Sequence, residues 1–286
     1  MLRFGIRPRP PLDPLHATSI TTSSGNRRLL PRDSMNGLTD IRLPDSLDDV
    51  RIQSLPQSAF YIADFLTEEE QHAILDKIYS SKSRWKELSH RRLQTWPSQL
   101  VKNTLIAAPL PPFLKDPIIP RLLSIARSSA NTTDHIFSDS PHPVPNHCLI
   151  NEYLPGQGIM PHKDGSTYWP VVATISLDSS LCLDIYKSNE DGTRDVTSHQ
   201  RILQEPRSLL ITTDDMYTSY FHGISDVLQD ENLSAESVAN WSLLRDTQAL
   251  TSGTNTRERR VSLTYRAVLK VSSIGQKLGI FGKRPI

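Results

Sequence analysis

In the run Arg260-Val261-Ser262-Leu263-Thr264-Tyr265-Arg266 every even position is polar and every odd position is apolar or aromatic. Side chains of an extended chain alternate between two faces, so this segment reads as a strand with one oily face and one face bearing two guanidinium groups and two hydroxyls. At about 3.3 Å per residue the two arginine Cα atoms stand about 20 Å apart. Long side chains leaning inward from those ends would bracket a small dicarboxylate, the anion that guanidinium matches best in two-pronged geometry. Alternatively, the strand lies at a sheet edge and its polar face meets water.

The rest of the C-terminal half has the same texture: short β-branched and aromatic runs separated by Gly, Pro, Asn and Asp, the pattern of an antiparallel sandwich or barrel. Strands are expected at Cys148–Tyr153, Val171–Leu177, Leu181–Tyr186, Ser208–Thr213, Thr218–Phe221 and Val261–Val271. Upstream, a short strand-like run at Ala59–Phe65 precedes Thr67 and Glu70, a capping box that opens a helix through about Tyr79 with Ile74, Leu75 and Ile78 on one face. A second helical stretch follows Pro112, with Leu122, Leu123 and Ile125 as its apolar stripe. The fold class is therefore mainly β with flanking helices. Residues 1–50, rich in Pro, Ser and Arg, read as a disordered tail, residues 51–275 as the folded domain, 225–257 as a polar insertion within it, and 276–286 as a basic C-terminal tail.

Lys plus Arg total 32 against 31 acids, a net charge of +1, so no global field draws in nucleic acid or anionic membrane and any such partner must meet a local patch. The two cysteines, Cys148 and Cys182, lie in apolar strand-like runs and offer no disulfide framework, which suits a reducing compartment. No apolar run nears the roughly 18 residues of a spanning helix, so a soluble protein is expected, cytoplasmic or nuclear. The first thirty residues hold five arginines and Asp13 as their one acid, the bias of a mitochondrial transit peptide, but their prolines oppose the helix such a peptide forms.

His162 and Asp164 are two apart and project to the same side of an extended chain, and His222 follows the aromatic run Tyr217–Phe221. Two histidines and one carboxylate on one face of a metal leave three open positions, as a non-haem Fe(II) oxygenase needs for a cosubstrate and O₂. The alternatives are a surface turn favoured by Gly165 and a satisfied strand histidine. Asn151 and Tyr153 form a second i, i+2 pair ahead of the turn Pro155-Gly156-Gln157-Gly158. Pointing into a barrel, an amide and a phenol can hydrogen-bond a carboxylate or keto group, or serve as ordinary interior polar groups.

Taken together, Asn146–Gly165 (NHCLINEYLPGQGIMPHKDG), Arg207–Ile224 with its closing Phe221-His222-Gly223-Ile224, and Arg260–Arg266 (RVSLTYR) resemble in order and spacing the AlkB family of Fe(II)- and 2-oxoglutarate-dependent dioxygenases. Arg84–Pro97 (RWKELSHRRLQTWP) and Gly158–His162 resemble the branch of sixth AlkB homologues in animals and plants. The resemblance covers roughly Phe60 to Val271, apart from the insertion. It implies a double-stranded β-helix, a jelly-roll barrel with helices outside one sheet. It makes His162, Asp164 and His222 the Fe(II) ligands and assigns 2-oxoglutarate to Asn151, Tyr153 and Arg260, with Arg260 on the carboxylate far from iron. Arg266 would support the metal-proximal end, and Ser262 stands where several relatives have an amide or hydroxyl. The implied reaction consumes 2-oxoglutarate and O₂, releases succinate and CO₂, and oxidises a C–H bond.

Members of that family act on alkylated bases, and one local patch suits single-stranded or alkylated nucleic acid. Arg84, Trp85, Arg91, Arg92 and Trp96, with Lys82 and Lys86, interleave cations for phosphates with aromatic faces for bases. The same residues also read as an exposed basic loop anchored to the core by its tryptophans. Removing Arg91 and Arg92 together is expected to weaken oligonucleotide binding and to spare cosubstrate turnover. Two other functions fit the chain: hydroxylation or demethylation of protein side chains by the same chemistry, and noncatalytic recognition of RNA or protein on the same barrel.

Overall fold

The computed structural model describes residues 41–272; the tail through residue 40 and the basic segment 276–286 lie outside the described residues. The larger sheet is antiparallel, with seven strands in the spatial order β1 (Ala59–Ile62), β10 (Leu209–Thr213), β7 (Val171–Leu177), β14 (Arg260–Arg266), β5 (His147–Tyr153), β3 (Arg91–Trp96) and β2 (Lys86–Leu88). The smaller sheet orders four strands, β6 (Ile159–His162), β11 (Tyr220–Ile224), β8 (Leu181–Lys187) and β9 (Gln200–Gln204). Short pairs join β12 (Gln229–Asp230) to β13 (Asn255–Thr256) and β4 (Leu105–Ile106) to β15 (Val271–Ser272). Tyr61 and Leu210 of the larger sheet meet Ile185 and Ile202 of the smaller in one buried cluster, so the sheets pack face to face as a jelly roll.

Strand β14 is central, between β5 and β7, and all seven of its residues are buried. The edge alternative is thereby settled. Val261, Leu263 and Tyr265 enter the core beneath the helices, while the even positions face the barrel interior. Helix α1 (Glu68–Ser80) opens with the expected capping box, Thr67 accepting from the Glu70 amide and Glu70 from the Thr67 amide. Its Ile74, Leu75 and Ile78 join that core, each contributing about 1.5–3 kcal/mol of apolar burial. The second helical stretch is two short helices, α2 (Pro112–Lys115) and α3 (Ile118–Ser124), separated at Pro117, which cannot donate to a continuing helix.

Several boundaries differ from the sequence reading. Residues 46–50, placed in the tail, form a capped 3-10 turn whose Leu47 is buried, so the folded body starts earlier. The strand expected at Thr218 is preceded by helix α4 (Asp214–Thr218) and β11 starts only at Tyr220; the strand expected to reach Val271 ends at Arg266. The 225–257 segment is folded. Its Leu233, Val238 and Leu250 pack on Cys182 and Leu203. Buried Asn240 accepts from the Leu203 amide at 2.9 Å and donates to the Leu203 carbonyl at 2.8 Å, so a side chain occupies the open edge of β9 as a further strand would.

Candidate active site

The barrel encloses a chamber of about 260 Å³. Its floor is a grid fixed by strand register: Arg260 opposite Tyr153, Ser262 opposite Asn151, Thr264 opposite Leu149 and Arg266 opposite His147. The even face of β14 and the odd face of β5 thus share one surface, because paired residues of antiparallel strands point the same way. All five residues expected to hold the cosubstrate, Asn151, Tyr153, Arg260, Ser262 and Arg266, line this chamber, as do His162, Asp164 and His222.

The metal-ligand set converges as expected. Ligand atoms of His162, Asp164 and His222 lie within 4.8 Å of one another. His162 and His222 are direct partners across β6 and β11, with ring centroids 4.4 Å apart. The strands approach this closely because of a glycine beside the ligand: a Cβ on Gly223 would sit 2.9 Å from the Pro161 nitrogen. The His162 Nδ1 donates to the Met160 carbonyl at 3.0 Å, which leaves Nε2 and its lone pair for a metal. Enclosure pushes His222 down to about 4, opposed by Asp164 and reinforced by His162 and Arg266, so its imidazole is neutral at physiological pH, the form that ligates. Asp164 accepts from Arg266 Nη2 at 2.7 Å through Oδ1, while its buried Oδ2 has no protein partner. A buried carboxylate oxygen without a donor is costly, and a cation held between it and two neutral imidazoles satisfies it. The residues therefore fit Fe(II). Tyr217 fixes the turn after Asp164 by donating to the Gly165 carbonyl at 2.7 Å, and the Arg266 guanidinium lies 4.9 Å over the Tyr168 ring.

At the other end, Arg260 is buried and, among the described residues, forms no ion pair with a carboxylate. Its Nη2 donates to Ser176 Oγ at 2.7 Å and to Gln204 Oε1, and Ser176 donates to Gln204 at 3.0 Å. Burial pulls this guanidinium down to about 10, so a charged group is held ready for an anion that the protein itself does not supply. Sequence reading missed Ser176 and Gln204, since neither belongs to a motif and only sheet topology brings them to Arg260. Burial likewise raises the Tyr153 phenol, which keeps it a hydrogen-bond donor. Between the two ends Leu149, Ile185, Leu210 and Met216 supply apolar wall, interrupted by the hydroxyls of Thr174, Thr212 and Thr264.

The five residues expected to meet substrate do not form one surface. Arg91 and Arg92 are neighbours in β3, and the pleat sends neighbours to opposite faces. Arg92 faces the helices, clamping Glu152 through Nε at 2.6 Å and Nη2 at 3.0 Å, with Trp85 stacked 4.4 Å away and Tyr79 donating to the same carboxylate at 2.7 Å. Arg84 lies 4.2 Å over Trp96, whose indole donates to Gln94 and whose ring meets the edge of Phe113. Both tryptophans are half-buried against the core, each with a face covered by a guanidinium. Arg91 alone of the five lines the chamber, and its Nε donates to Asn151 Oδ1 at 3.2 Å. Of the two arginines expected at substrate, Arg92 is instead engaged with Glu152 on the helix side, and Arg91 donates to Asn151, a residue expected to hold the cosubstrate.

The model of the 2OG-Fe(II) oxygenase superfamily matches residues 58–266. The chain belongs to that superfamily. This oxygenase is 35% identical over 240 residues to the "Probable RNA/DNA demethylase ALKBH6" of Danio rerio, covering 82% of the chain and 95% of that protein, which puts it in the AlkB family. It is 28% identical over 215 residues to protein L905 of Acanthamoeba polyphaga mimivirus, covering 73% and 84% of the two chains. Among solved structures, that of OsALKBH1 aligns with a TM-score of 0.48 at 16% identity, covering 74% of this chain and 98% of the other. The enzyme is an Fe(II)- and 2-oxoglutarate-dependent dioxygenase that uses O₂. Among the described residues no helix is long and apolar enough to cross a membrane.

Proposed function

We propose that this dioxygenase removes N-alkyl groups from nucleic acid. The observation that carries the reading is Arg91, a cation with no carboxylate ion pair among the described residues, which runs from the β2–β3 hairpin into the chamber. Exposed Lys82, Arg84 and Lys86 lie on or beside the same hairpin, with Glu87 as a counter-charge, a local excess of positive charge for a phosphate backbone on an otherwise balanced chain. The name of the zebrafish relative, a probable RNA/DNA demethylase, agrees with this choice.

Bound Fe(II), with 2-oxoglutarate and O₂, supplies the oxidising chemistry: one oxygen atom ends in succinate as CO₂ leaves, and the other enters a substrate C–H bond. His162, Asp164 and His222 hold the iron, and Arg266 keeps Asp164 oriented. Arg260 takes the distal carboxylate while Asn151 and Tyr153 donate to the rest of the cosubstrate, with Ser262 beside them. Leu149, Ile185, Leu210 and Met216 supply the apolar part of the wall that limits water at the site. A methyl group on nitrogen, once hydroxylated, leaves as formaldehyde and returns the N–H. The one-domain reading, with its start moved up to residue 46, and a reducing cytoplasmic or nuclear compartment belong to this proposal; both described cysteines are buried and free.

The test is to incubate purified protein with Fe(II), 2-oxoglutarate and a panel of methylated oligonucleotides and peptides. Formaldehyde equal to the succinate formed, on oligonucleotides, is the expected result. A one-oxygen mass gain or demethylation confined to peptides would replace this reading with protein modification.

A further inference from the structure

Beside the chamber lies an outer groove of about 430 Å³, and the two share Arg91, Ile159 and Ile224 as a common wall. Of these three, Arg91 alone carries charge. Its Nε–H is committed to Asn151 Oδ1, which fixes the orientation of that amide. With its oxygen turned to the guanidinium, its NH₂ is left to donate elsewhere, and a dicarboxylate in the chamber accepts only. Arg91 therefore presets Asn151 as a donor toward the cosubstrate. Its two terminal nitrogens form no ion pair among the described residues, in contrast to Arg92 with Glu152. Arg194 and His90 also line the groove. Its acid Asp184 is already engaged, accepting from Ser225 at 2.6 Å and paired with His199 at 2.7 Å, whereas Asp226 makes its own part of the lining unfavourable for an anion. Arg91 and Arg194, the latter lying 4.7 Å over the Tyr186 ring, both bring charge without an ion pair to the groove among the described residues, and of the two Arg91 alone also lines the chamber.

We infer that Arg91 is a positioning residue that couples substrate binding to cosubstrate binding. A phosphodiester of the substrate strand in the outer groove engages the terminal nitrogens of Arg91 and immobilises its guanidinium. The Nε–H then holds Asn151 more firmly in its donor-inward orientation, so whichever ligand binds first meets part of the ordering cost for the other. Substrate therefore tightens cosubstrate binding, and by linkage the cosubstrate tightens substrate binding by the same factor. This inference rests on the nucleic-acid reading of the site.

The experiment uses full-length protein with Mn(II) in place of iron, so that nothing turns over, and a single-stranded 12-nucleotide RNA with one N-methylated adenine as probe. Calorimetry gives the Kd of 2-oxoglutarate with and without saturating RNA, and the RNA Kd with and without 2-oxoglutarate. In the wild type each ligand is expected to lower the Kd of the other at least about fivefold. Arg91→Lys keeps the positive charge, but one compact ammonium cannot serve an amide and a phosphate in fixed geometry. It should weaken RNA binding less than Arg91→Ala does at low salt, while the coupling falls below about twofold. Arg91→Ala should weaken RNA binding and, without RNA, 2-oxoglutarate binding as well. Thermal unfolding of each variant verifies the fold. Coupling retained in Arg91→Lys, or absent in a wild type that binds RNA, overturns the inference. A wild type that binds no RNA overturns the nucleic-acid reading and the coupling with it, and is recognised by the RNA titration alone.

Discussion

Arg260→Met should make the unliganded protein more stable and its cosubstrate site nearly useless. The arginine is 2% exposed and burial draws its guanidinium from 12.5 to about 10, which corresponds to roughly 3 kcal/mol of destabilisation of the charged form. At neutral pH the group remains charged, so the unliganded fold carries that cost. Methionine has a similar length and no charge. It forfeits the hydrogen bonds to Ser176 and Gln204, worth about 1 kcal/mol each, but those two residues keep their mutual bond at 3.0 Å and are not orphaned. The balance is a gain of about 1–2 kcal/mol in urea unfolding of the metal-free protein. Binding moves the other way. Truncating one partner of a buried, hydrogen-bonded charge pair costs about 2–5 kcal/mol, so the Kd for 2-oxoglutarate, measured by calorimetry with Mn(II), should rise roughly 30- to 4,000-fold. A variant that binds 2-oxoglutarate within tenfold of the wild type, or that unfolds more easily, would show that Arg260 is a structural cation and refute the reasoning.

Three further outcomes follow from the same geometry. Arg92→Ala should lower stability to urea by about 2–4 kcal/mol, because Glu152 stays buried without its clamp, whereas Arg91→Ala, which breaks no ion pair, should change it by under about 1 kcal/mol; equal losses would mean the pleat does not separate their roles. Asn240→Ala should cost about 2–4 kcal/mol by stranding the Leu203 amide and carbonyl and should promote aggregation on warming through the uncovered β9 edge, seen by light scattering; a variant as stable and monodisperse as the wild type would contradict this. His147 is 2% exposed and is pushed down to about 4 by burial and then by Arg266. Its unfolded form binds a proton near 6.5, so its contribution is present above pH 6.5 and is lost as pH falls toward 4, about 2 kcal/mol by pH 5. His147→Gln should lose that part of the pH dependence of unfolding, and an unchanged slope would assign it elsewhere.

Some of this architecture is legible in the chain because one residue's chemistry and its spacing suffice. The alternation in Arg260–Arg266 specifies a strand with a polar face, and His162-Lys163-Asp164 specifies two ligands on one side. Whether β14 is central or at an edge is not local information, since it depends on Val171–Leu177 and His147–Tyr153 pairing on either side. The hairpin Lys86–Trp96 escaped recognition because its inward and outward faces are both polar. Gln94 is fully buried yet satisfied by the Ile78 carbonyl and the Trp96 indole, so hydrophobic periodicity is silent there. Ile159–His162 was hidden by Pro161, and the 225–257 segment by its dependence on a few scattered anchors such as Leu233 and Val238. Ser176 and Gln204 lie 84 and 56 residues from Arg260, and no pattern in the chain relates them.

The most direct test of the central claim is succinate formation by purified protein supplied with Fe(II), 2-oxoglutarate and O₂, compared between the wild type and His162→Ala. The wild type should form succinate, chelation of iron should stop it, and His162→Ala should form none above background while keeping a wild-type unfolding transition. Succinate formed at the wild-type rate by His162→Ala would contradict the assignment of His162, Asp164 and His222 as the iron site.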